Sequence, residues 1–535
     1  MSLQFYFGGS GAGKSRKLQD EITIRSLQEP DTDFLFIVPD QFTMQTQKDL
    51  VENENGRGGI RNIDVLSFSR LAHRIFEETG GNEKPVLDDT GKSLILRKVA
   101  AKAAGQLSVI GKNLQKQGYI HEVKSVISEF MQYGIGEAEL KQMIDCSSQR
   151  GALQYKLKDL HILYREFMDY INGQFITTEE TLDLLCKALG KSRLIRRSVI
   201  VFDGFTGFTP IQNRVILELM KQAKEVIVTI IMDGNDAPFE EDGEQKLFHL
   251  SKKTAGKLHQ MAVENHIPRK EDVYLKESPV PRFSHNPEMA HLEKQLFRYP
   301  MVPYDKENKS IQIFEATNPK EEVRQTAALI KELVRKEGYA YRDIAVVSGD
   351  LNAYAPHVDL EFEKFGIPCF VDRTRGIVLN PFIEYIKSAL SMLIHDFSYE
   401  TVFHYLRSGL TDFSMEQIDK LENYVLALGI RGKSNYSKMF VRMPKGYDAE
   451  ELEELNEMRE RMMEQIAPLF TEMKTAKEQV LSVYAFIEQN QIQKKLVQYE
   501  ILFLQEGELS KAKEYGQIYR LVMDLLEQII GLLGE

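Results

Sequence analysis

Phe5-Tyr6-Phe7-Gly8-Gly9-Ser10-Gly11-Ala12-Gly13-Lys14-Ser15 is the stretch that decides the fold class of this chain. Its first three residues read as a short buried strand, and residues 8–15 fit the phosphate-loop spacing G-x-x-x-x-G-K-[ST]. Glycines at 8, 9, 11 and 13 let the backbone curl so that successive N–H groups face phosphate oxygens. A helix starting near Lys14 brings its positive dipole end to the same point. Lys14 is then placed to reach β- and γ-phosphates, and the Ser15 hydroxyl to ligate Mg²⁺. The expected ligand is therefore ATP with Mg²⁺, cradled by Gly8, Gly9, Ser10, Gly11, Ala12, Gly13, Lys14 and Ser15. The plainer reading, a Gly-rich turn that matches by chance, does not account for the helix-compatible SRKLQDEITIRSL that follows.

Working outward, Phe34-Leu35-Phe36-Ile37-Val38 is an unbroken apolar run stopped by Pro39-Asp40, as expected of a central parallel strand. Val65-Leu66-Ser67-Phe68 is another, leading into a helix over Ser69–Glu78. Residues 87–189 turn helical, with apolar stripes such as Val123, Val126, Ile127, Phe130 and Met131 that read as core packing. Strands return at Val199–Phe202 and Val226–Met232. The pattern predicts one parallel α/β domain made of residues 1–86 and 190–278, with 87–189 as a helical insertion. Pro279, Pro281, Pro287, Pro300 and Pro303 mark a linker over 279–308. Residues 309–390 begin a second α/β unit, with strands at Ile311–Phe314 and Ile344–Val347 around a helix at Lys320–Lys336. Residues 391–535 read as a second helical insertion, truncated. The second α/β unit is too short to be complete, so the chain reads as a fragment.

The chain has 535 residues, 43% of them hydrophobic, which suffices for several cores. No apolar run is long enough to span a membrane, and the start does not read as a signal peptide. Cys146, Cys186 and Cys369 lie far apart without metal-ligand spacing, and a reducing cytoplasm is the simplest compartment. A net charge of −11 argues against a generally sticky nucleic-acid binder but leaves room for a local basic track. Arg193, Arg196 and Arg197 form the clearest basic cluster, which a solvated helix end explains equally well.

Val199-Ile200-Val201-Phe202-Asp203 reads as a core strand ending in a carboxylate suited to hold Mg²⁺. An active ATP motor carries a second acid directly after that Asp; here the residue is Gly204. Phe202-Asp203-Gly204-Phe205-Thr206-Gly207-Phe208-Thr209-Pro210-Ile211-Gln212 resembles the Walker B segment D-E-F-Q-D-x-x-x-x-Q of superfamily-one helicases of the UvrD type. The first Asp, the Phe and the final Gln are kept; the Glu, the first Gln and the second Asp are not. Leu66-Ser67-Phe68-Ser69-Arg70-Leu71-Ala72-His73-Arg74 is similar to their T-F-H-x-L-A segment, which contacts single-stranded DNA. Asp343–Gly349 aligns with the place of their γ-phosphate-sensing Arg, here Gly349.

More narrowly, FGGSGAGKS, IVPDQFTMQ at 37–45, LSFSRLAHRIFEETGG at 66–81, FDGFTGFTPIQ, EATNPKEEVRQTA at 315–327 and LENYVLALGIRG at 421–432 resemble the N-terminal half of the AddB (RexB) family. The resemblance implies two RecA-like P-loop NTPase domains, each interrupted by a helical insertion. It implies the B subunit of an ATP-dependent helicase–nuclease that processes double-strand DNA ends for recombinational repair. An AddA (RexA) type helicase–nuclease subunit is the implied partner in a heterodimer. The family's nuclease and four-cysteine iron–sulfur cluster are expected only beyond this chain.

Chemically, Gly204 cannot orient a nucleophilic water and Gly349 offers no charge. Loss of a positioned base costs about 10²–10⁴-fold and of an arginine finger about 10³–10⁵-fold. ATP is expected to bind and to be hydrolysed negligibly. By the same resemblance, Gln41, Thr43, Phe68, Arg70, His73 and Phe205 are candidate contacts to the single strand and its Chi-type hotspot. Gln and Arg can bridge base edges, and Phe offers a stacking face. His73 stands where the family often has Trp. The bland alternative puts Phe68 in the core and pairs Arg70 with an acid. Competing readings are an active translocase, which needs another residue in place of the missing acid although Asp236, Glu240 and Glu241 lie too far along the chain for that, a small-molecule kinase, and a scaffold with a vestigial loop.

Overall fold

The structure, a computed structural model, describes residues 1–52, 62–80, 84–113, 116–240, 243–373 and 376–534. Gly81, Glu241 and Glu535 of the readings above lie outside the described residues. The chain divides into two compact units, Met1–Gln312 and Ile313–Glu535.

The first unit is built on a six-stranded sheet. In chain order the strands are β1 (Leu3–Gly8), β2 (Asp33–Ile37), β3 (Ile63–Leu66), β4 (Val86–Leu87), β5 (Ile176–Thr177), β6 (Ser198–Phe202), β7 (Glu225–Ile231) and β8 (Val273–Leu275). The spatial order is β3-β2-β6-β7-β1-β8, with every pairing parallel, and β4 pairs with β5 as a separate ribbon. Alternation of side chains explains why these runs are apolar without a break. Phe5 and Phe7 face one side with Leu35, Ile37, Ile200, Phe202 and Val228, while Tyr6 faces the other with Phe34, Phe36, Val199, Val201 and Ile227. Both faces are covered, so neither set can be polar.

The helices of this unit are α1 (Lys14–Gln28), α2 (Thr43–Val51), α3 (Phe68–Thr79), α4 (Asp89–Ala103), α5 (Gln117–Tyr133), α6 (Glu137–Cys146), α7 (Gly151–Ile171), α8 (Thr178–Leu189), α9 (Arg193–Arg197), α10 (Pro210–Gln222), α11 (His249–Glu264) and α12 (Pro287–Gln295). Leu18 and Ile22 of α1 and Leu50 of α2 cover one face of the sheet. Residues from α3, α8, α10 and α11 cover the other, among them Leu71, Leu185, Val215 and Leu258. The helical stretch between β3 and β6 therefore returns to the sheet through α8. Inside that stretch Asp159 of α7 is wholly buried and accepts hydrogen bonds from the backbone N–H groups of Ser108, Val109 and Ile110 at 2.7–2.9 Å. A loop without regular structure is thereby held as firmly as a helix cap.

The second unit contains α13 (Pro319–Lys336), α14 (Leu351–Lys364) and eight further helices, α15–α22, from Pro381 to Leu533. Val323, Ala327 and Ile330 of α13 pack on Phe362 and Ile367. The later helices share a larger core that includes Tyr385, Tyr405, Tyr424, Leu455, Met458, Met462 and Ile466. The expected strands at Ile311–Phe314 and Ile344–Val347 join no ladder among the described residues. Ile313 is 95% exposed and Val347 93% exposed. A parallel strand needs hydrogen-bonding neighbours on its edges and cover on both faces; here Ile344 packs on the core shared by α13 and α14, while Ile313 and Val347 stay open. A second RecA-like sheet is thus not formed by the described residues. Among them, no helix is long and apolar enough to cross a membrane.

Removing the Asp159 carboxylate strands three backbone donors. Asp159→Ala is expected to lower unfolding stability by about 3 kcal/mol in chemical denaturation, in line with unsatisfied buried donors.

Candidate phosphate site and adjoining cleft

The carboxyl ends of the parallel strands carry the site. β1 ends at Gly8, and the loop turns through Gly11 (φ +80°) and Gly13 (φ +86°) into α1. These left-handed conformations favour glycine. Lys14 is buried, and its Nζ donates to the carbonyl oxygens of Gly8 (2.8 Å) and Gly9 (2.9 Å). Ser10 and Ser15 are exposed. Ala12 donates its N–H to Gly9 O at 3.3 Å, closing the curl.

Asp203 follows β6 directly, and its own N–H donates to Ile37 O at 3.1 Å. Its carboxylate accepts from the Thr229 hydroxyl of β7 at 2.6 Å and is nearly buried. It acts electrostatically on Lys14, so the two sequence-predicted groups converge. Burial pushes the Lys14 ammonium down to about 8; Asp203 and Glu293 oppose that shift, and Arg282 adds to it. The glycine cradle, an inward lysine, an exposed Ser15 hydroxyl and an oriented carboxylate suit a nucleotide phosphate with Mg²⁺. Among the described residues no cluster of three or more His, Cys, Asp or Glu could hold a metal by itself.

Gly204 takes φ +78°, and a Cβ there would meet only Pro39 and Phe42 at 3.7–3.9 Å. Space is available; the backbone conformation is what resists a side chain. The same turn sends Phe205 and Phe208 toward the α3 side of the sheet. There Phe68, Phe202, Phe205 and Phe208 form one aromatic cluster with ring centroids 5.0–6.5 Å apart.

That cluster lies beside a cleft of about 600 Å³ lined by Gln41, Phe68, His73, Phe205, Gln132 of α5 and Glu179 of α8, among others. Four of the candidate DNA contacts are therefore brought together. Thr43 is not among the lining residues: it is buried, and its hydroxyl donates to Asp40 O at 2.9 Å. Arg70 is exposed on α3 outside the lining. Phe68 is both core and wall, 7% exposed. His73 is exposed, with Nδ1 3.5 Å from Glu77. Gln212 spends its side chain on capping α10, accepting from Thr209 N at 2.9 Å. The cluster of Arg193, Arg196 and Arg197 sits on α9, at the start of β6 and so at the opposite edge of the sheet from Asp203. There Arg196 donates to Gly190 O and Arg197 pairs with Asp33, the roles of a helix end.

Four residues escaped the reading of the sequence. Thr229 looks like any β-branched strand residue, and only the β6–β7 register aims it at Asp203. Arg282 and Glu293 come from the proline-rich stretch, which has no periodicity to announce them; both lie against the phosphate loop. Asp233 alone left a signal, as a carboxylate just past the end of a buried strand.

The sequence model of the family described as "ADDB, N-terminal" matches residues 5–293. The chain belongs to this family. Proteins named as the B subunit of an ATP-dependent helicase/deoxyribonuclease are similar along its whole length. The protein of Lachnoclostridium phytofermentans is 42% identical, that of Acetivibrio thermocellus 36% and that of Clostridium kluyveri 34%. Each alignment covers 100% of this chain and 47% of the relative, so the chain spans about half the length of these curated relatives. The ADDB match covers the phosphate loop, Asp203 and the aromatic cleft alike.

Two predictions concern this site. As pH rises through about 8 the nucleotide-free loop loses its Lys14 proton, which bound phosphate restores. Nucleotide affinity is therefore expected to fall above that pH, by up to about tenfold per unit, with proton uptake visible as buffer-dependent heat in titration calorimetry. Secondly, Gly204→Glu is expected to cost about 1–2 kcal/mol in thermal unfolding and to create no ATP turnover, because the added acid rides on a left-handed turn.

Proposed function

We propose that this chain is the helicase-like N-terminal half of the B subunit of an ATP-dependent helicase–nuclease acting on DNA ends in recombinational repair. In this reading it binds ATP with Mg²⁺ but turns it over negligibly, and it guides single-stranded DNA through the cleft beside Phe68 and Phe205. Recognition of a Chi-type hotspot belongs to the same surface. The observation that carries the reading is the pairing of a complete phosphate loop with an Asp203 followed by a left-handed glycine.

The residues divide the work as follows. Gly8–Gly13 and Lys14 bind the phosphates, and Ser15 with Asp203 would hold Mg²⁺, which neutralises phosphate charge when bound. Gln41, Thr43, Phe68, Arg70, His73 and Phe205 are the proposed DNA contacts; Gln41, Phe68, His73 and Phe205 share one cleft and are placed first among them. Residues 1–86 and 190–278 are proposed as a first RecA-like domain, 87–189 as its insertion and 279–308 as the linker. Residues 309–390 are the proposed opening of a second such domain, and 391–535 its insertion. The partner is a helicase–nuclease subunit of the AddA type, and the setting is the cytoplasm. The nuclease and the iron–sulfur cluster are assigned to the remainder of the full-length protein.

The test mixes the chain with Mg·ATP and single-stranded DNA, and follows nucleotide binding and phosphate release together, with Lys14→Ala as control. Binding without release, lost in Lys14→Ala, is the expected result. Lys14-dependent release makes the chain an active translocase instead, and absence of binding leaves a scaffold with a vestigial loop.

A further inference from the structure

The segment after β8 folds back over the phosphate loop. Arg282 donates its N–H to Gly11 O at 3.3 Å, and α12 follows a few residues later. From α12 the Glu293 carboxylate lies against Gly9: a Cβ built on that glycine would stand 3.0 Å from Oε1. The Glu293 side chain is 19% exposed. The Arg298 guanidinium holds this arrangement from behind. It donates to both carboxylate oxygens of Asp233, at 2.7 and 3.0 Å, and to the Glu293 carbonyl at 2.7 Å. Only 3.8 Å separates it from Glu293 Oε1.

An anion beside a loop of this kind is in a charged neighbourhood of a particular sign. The curled backbone and the start of α1 favour negative charge, and Lys14 acts electrostatically on Glu293 as well as on Asp203. A triphosphate entering the loop brings several negative charges to the same ground, so it and the Glu293 carboxylate repel one another.

We propose that Glu293 is an acidic gate on the phosphate loop: it stands by the loop in the nucleotide-free chain, and a bound triphosphate drives it and α12 outward. The gate rests on the reading of residues 8–15 as a nucleotide site. Its consequence lies further along the chain, because α12 also holds the segment that leads out of the first unit. Glu288 accepts from Lys309 N and Ser310 Oγ, both at 3.4 Å. His291 Nε2 lies 2.8 Å from Val302 O, and Val302 N donates to Gln295 Oε1 at 3.2 Å. Outward movement of α12 shifts residues 302–310 with it, so nucleotide occupancy is read out as the position of that segment.

The chain contains no tryptophan, so one can be introduced as a sole reporter. Tyr304 packs on the His291 ring at 5.1 Å, which makes Tyr304→Trp sensitive to α12. Mg·ATP affinity is measured by calorimetry for the unaltered chain, Glu293→Gln, Glu293→Ala and Lys14→Ala, and reporter emission is followed in the first three backgrounds. Both Glu293 variants are expected to bind about tenfold tighter. The reporter should change emission on Mg·ATP addition, and Glu293→Gln should move the nucleotide-free emission toward the bound value. Lys14-dependent binding with unchanged or weaker affinity in both Glu293 variants overturns the gate alone. Binding by none of the chains overturns the nucleotide reading and the gate together.

Discussion

The parallel ladder running from β2 through β6 and β7 to β1 is the constraint on which the rest depends. Each strand runs toward the same edge of the sheet, so Gly8 and Asp203 arrive at one edge although 195 positions apart in the sequence. Because the ladder is parallel and covered on both faces, its polar chemistry can only appear at strand ends. The charged groups are therefore gathered at that edge, while Phe68 serves both the core and the cleft wall. Tyr6, Phe36 and Val201 stabilise the sheet, while Lys14, Asp203 and Thr229 serve the edge.

Gly204 joins two features that look unrelated in the sequence. It follows the Asp203 carboxylate directly, and its left-handed turn leads Phe205 and Phe208 into contact with Phe68 and Phe202. One backbone turn thus links the Asp203 carboxylate to the aromatic wall. The phosphate loop lies on one side of that strand end and the cleft on the other. A group that holds Asp203 rigid, such as Thr229, also steadies the start of the aromatic turn. Around the loop, Arg282, Glu293 and Arg298 add charges of both signs that were absent from any motif.

Much of the first unit was legible in the residues alone. Unbroken apolar runs at 34–38 and 199–202 read as strands buried on both faces, and residues 8–15 fit the phosphate-loop spacing. Gln41, Phe68 and Phe205 were singled out by motif, and the fold places them in one cleft with His73. Arg70 fell outside it because residues two positions apart on a helix, here Phe68 and Arg70, do not share a face, and Thr43 is buried with its hydroxyl on Asp40 O. The second unit was read less well. Ile311–Phe314 and Ile344–Val347 have strand composition, but a strand is completed by its neighbours, and composition says nothing about whether they are present.

By itself the sequence determined the α/β class, the phosphate-loop spacing of residues 8–15 and the glycine after Asp203, since each depends on residue types at fixed local spacing. Only the tertiary structure decided that Glu293, Arg282 and Arg298 gather at that loop, and that Thr229 orients Asp203. It alone decided that residue 204 adopts a conformation hostile to any side chain. Those facts depend on the strand order and on where a non-periodic segment folds back, and local spacing does not encode either.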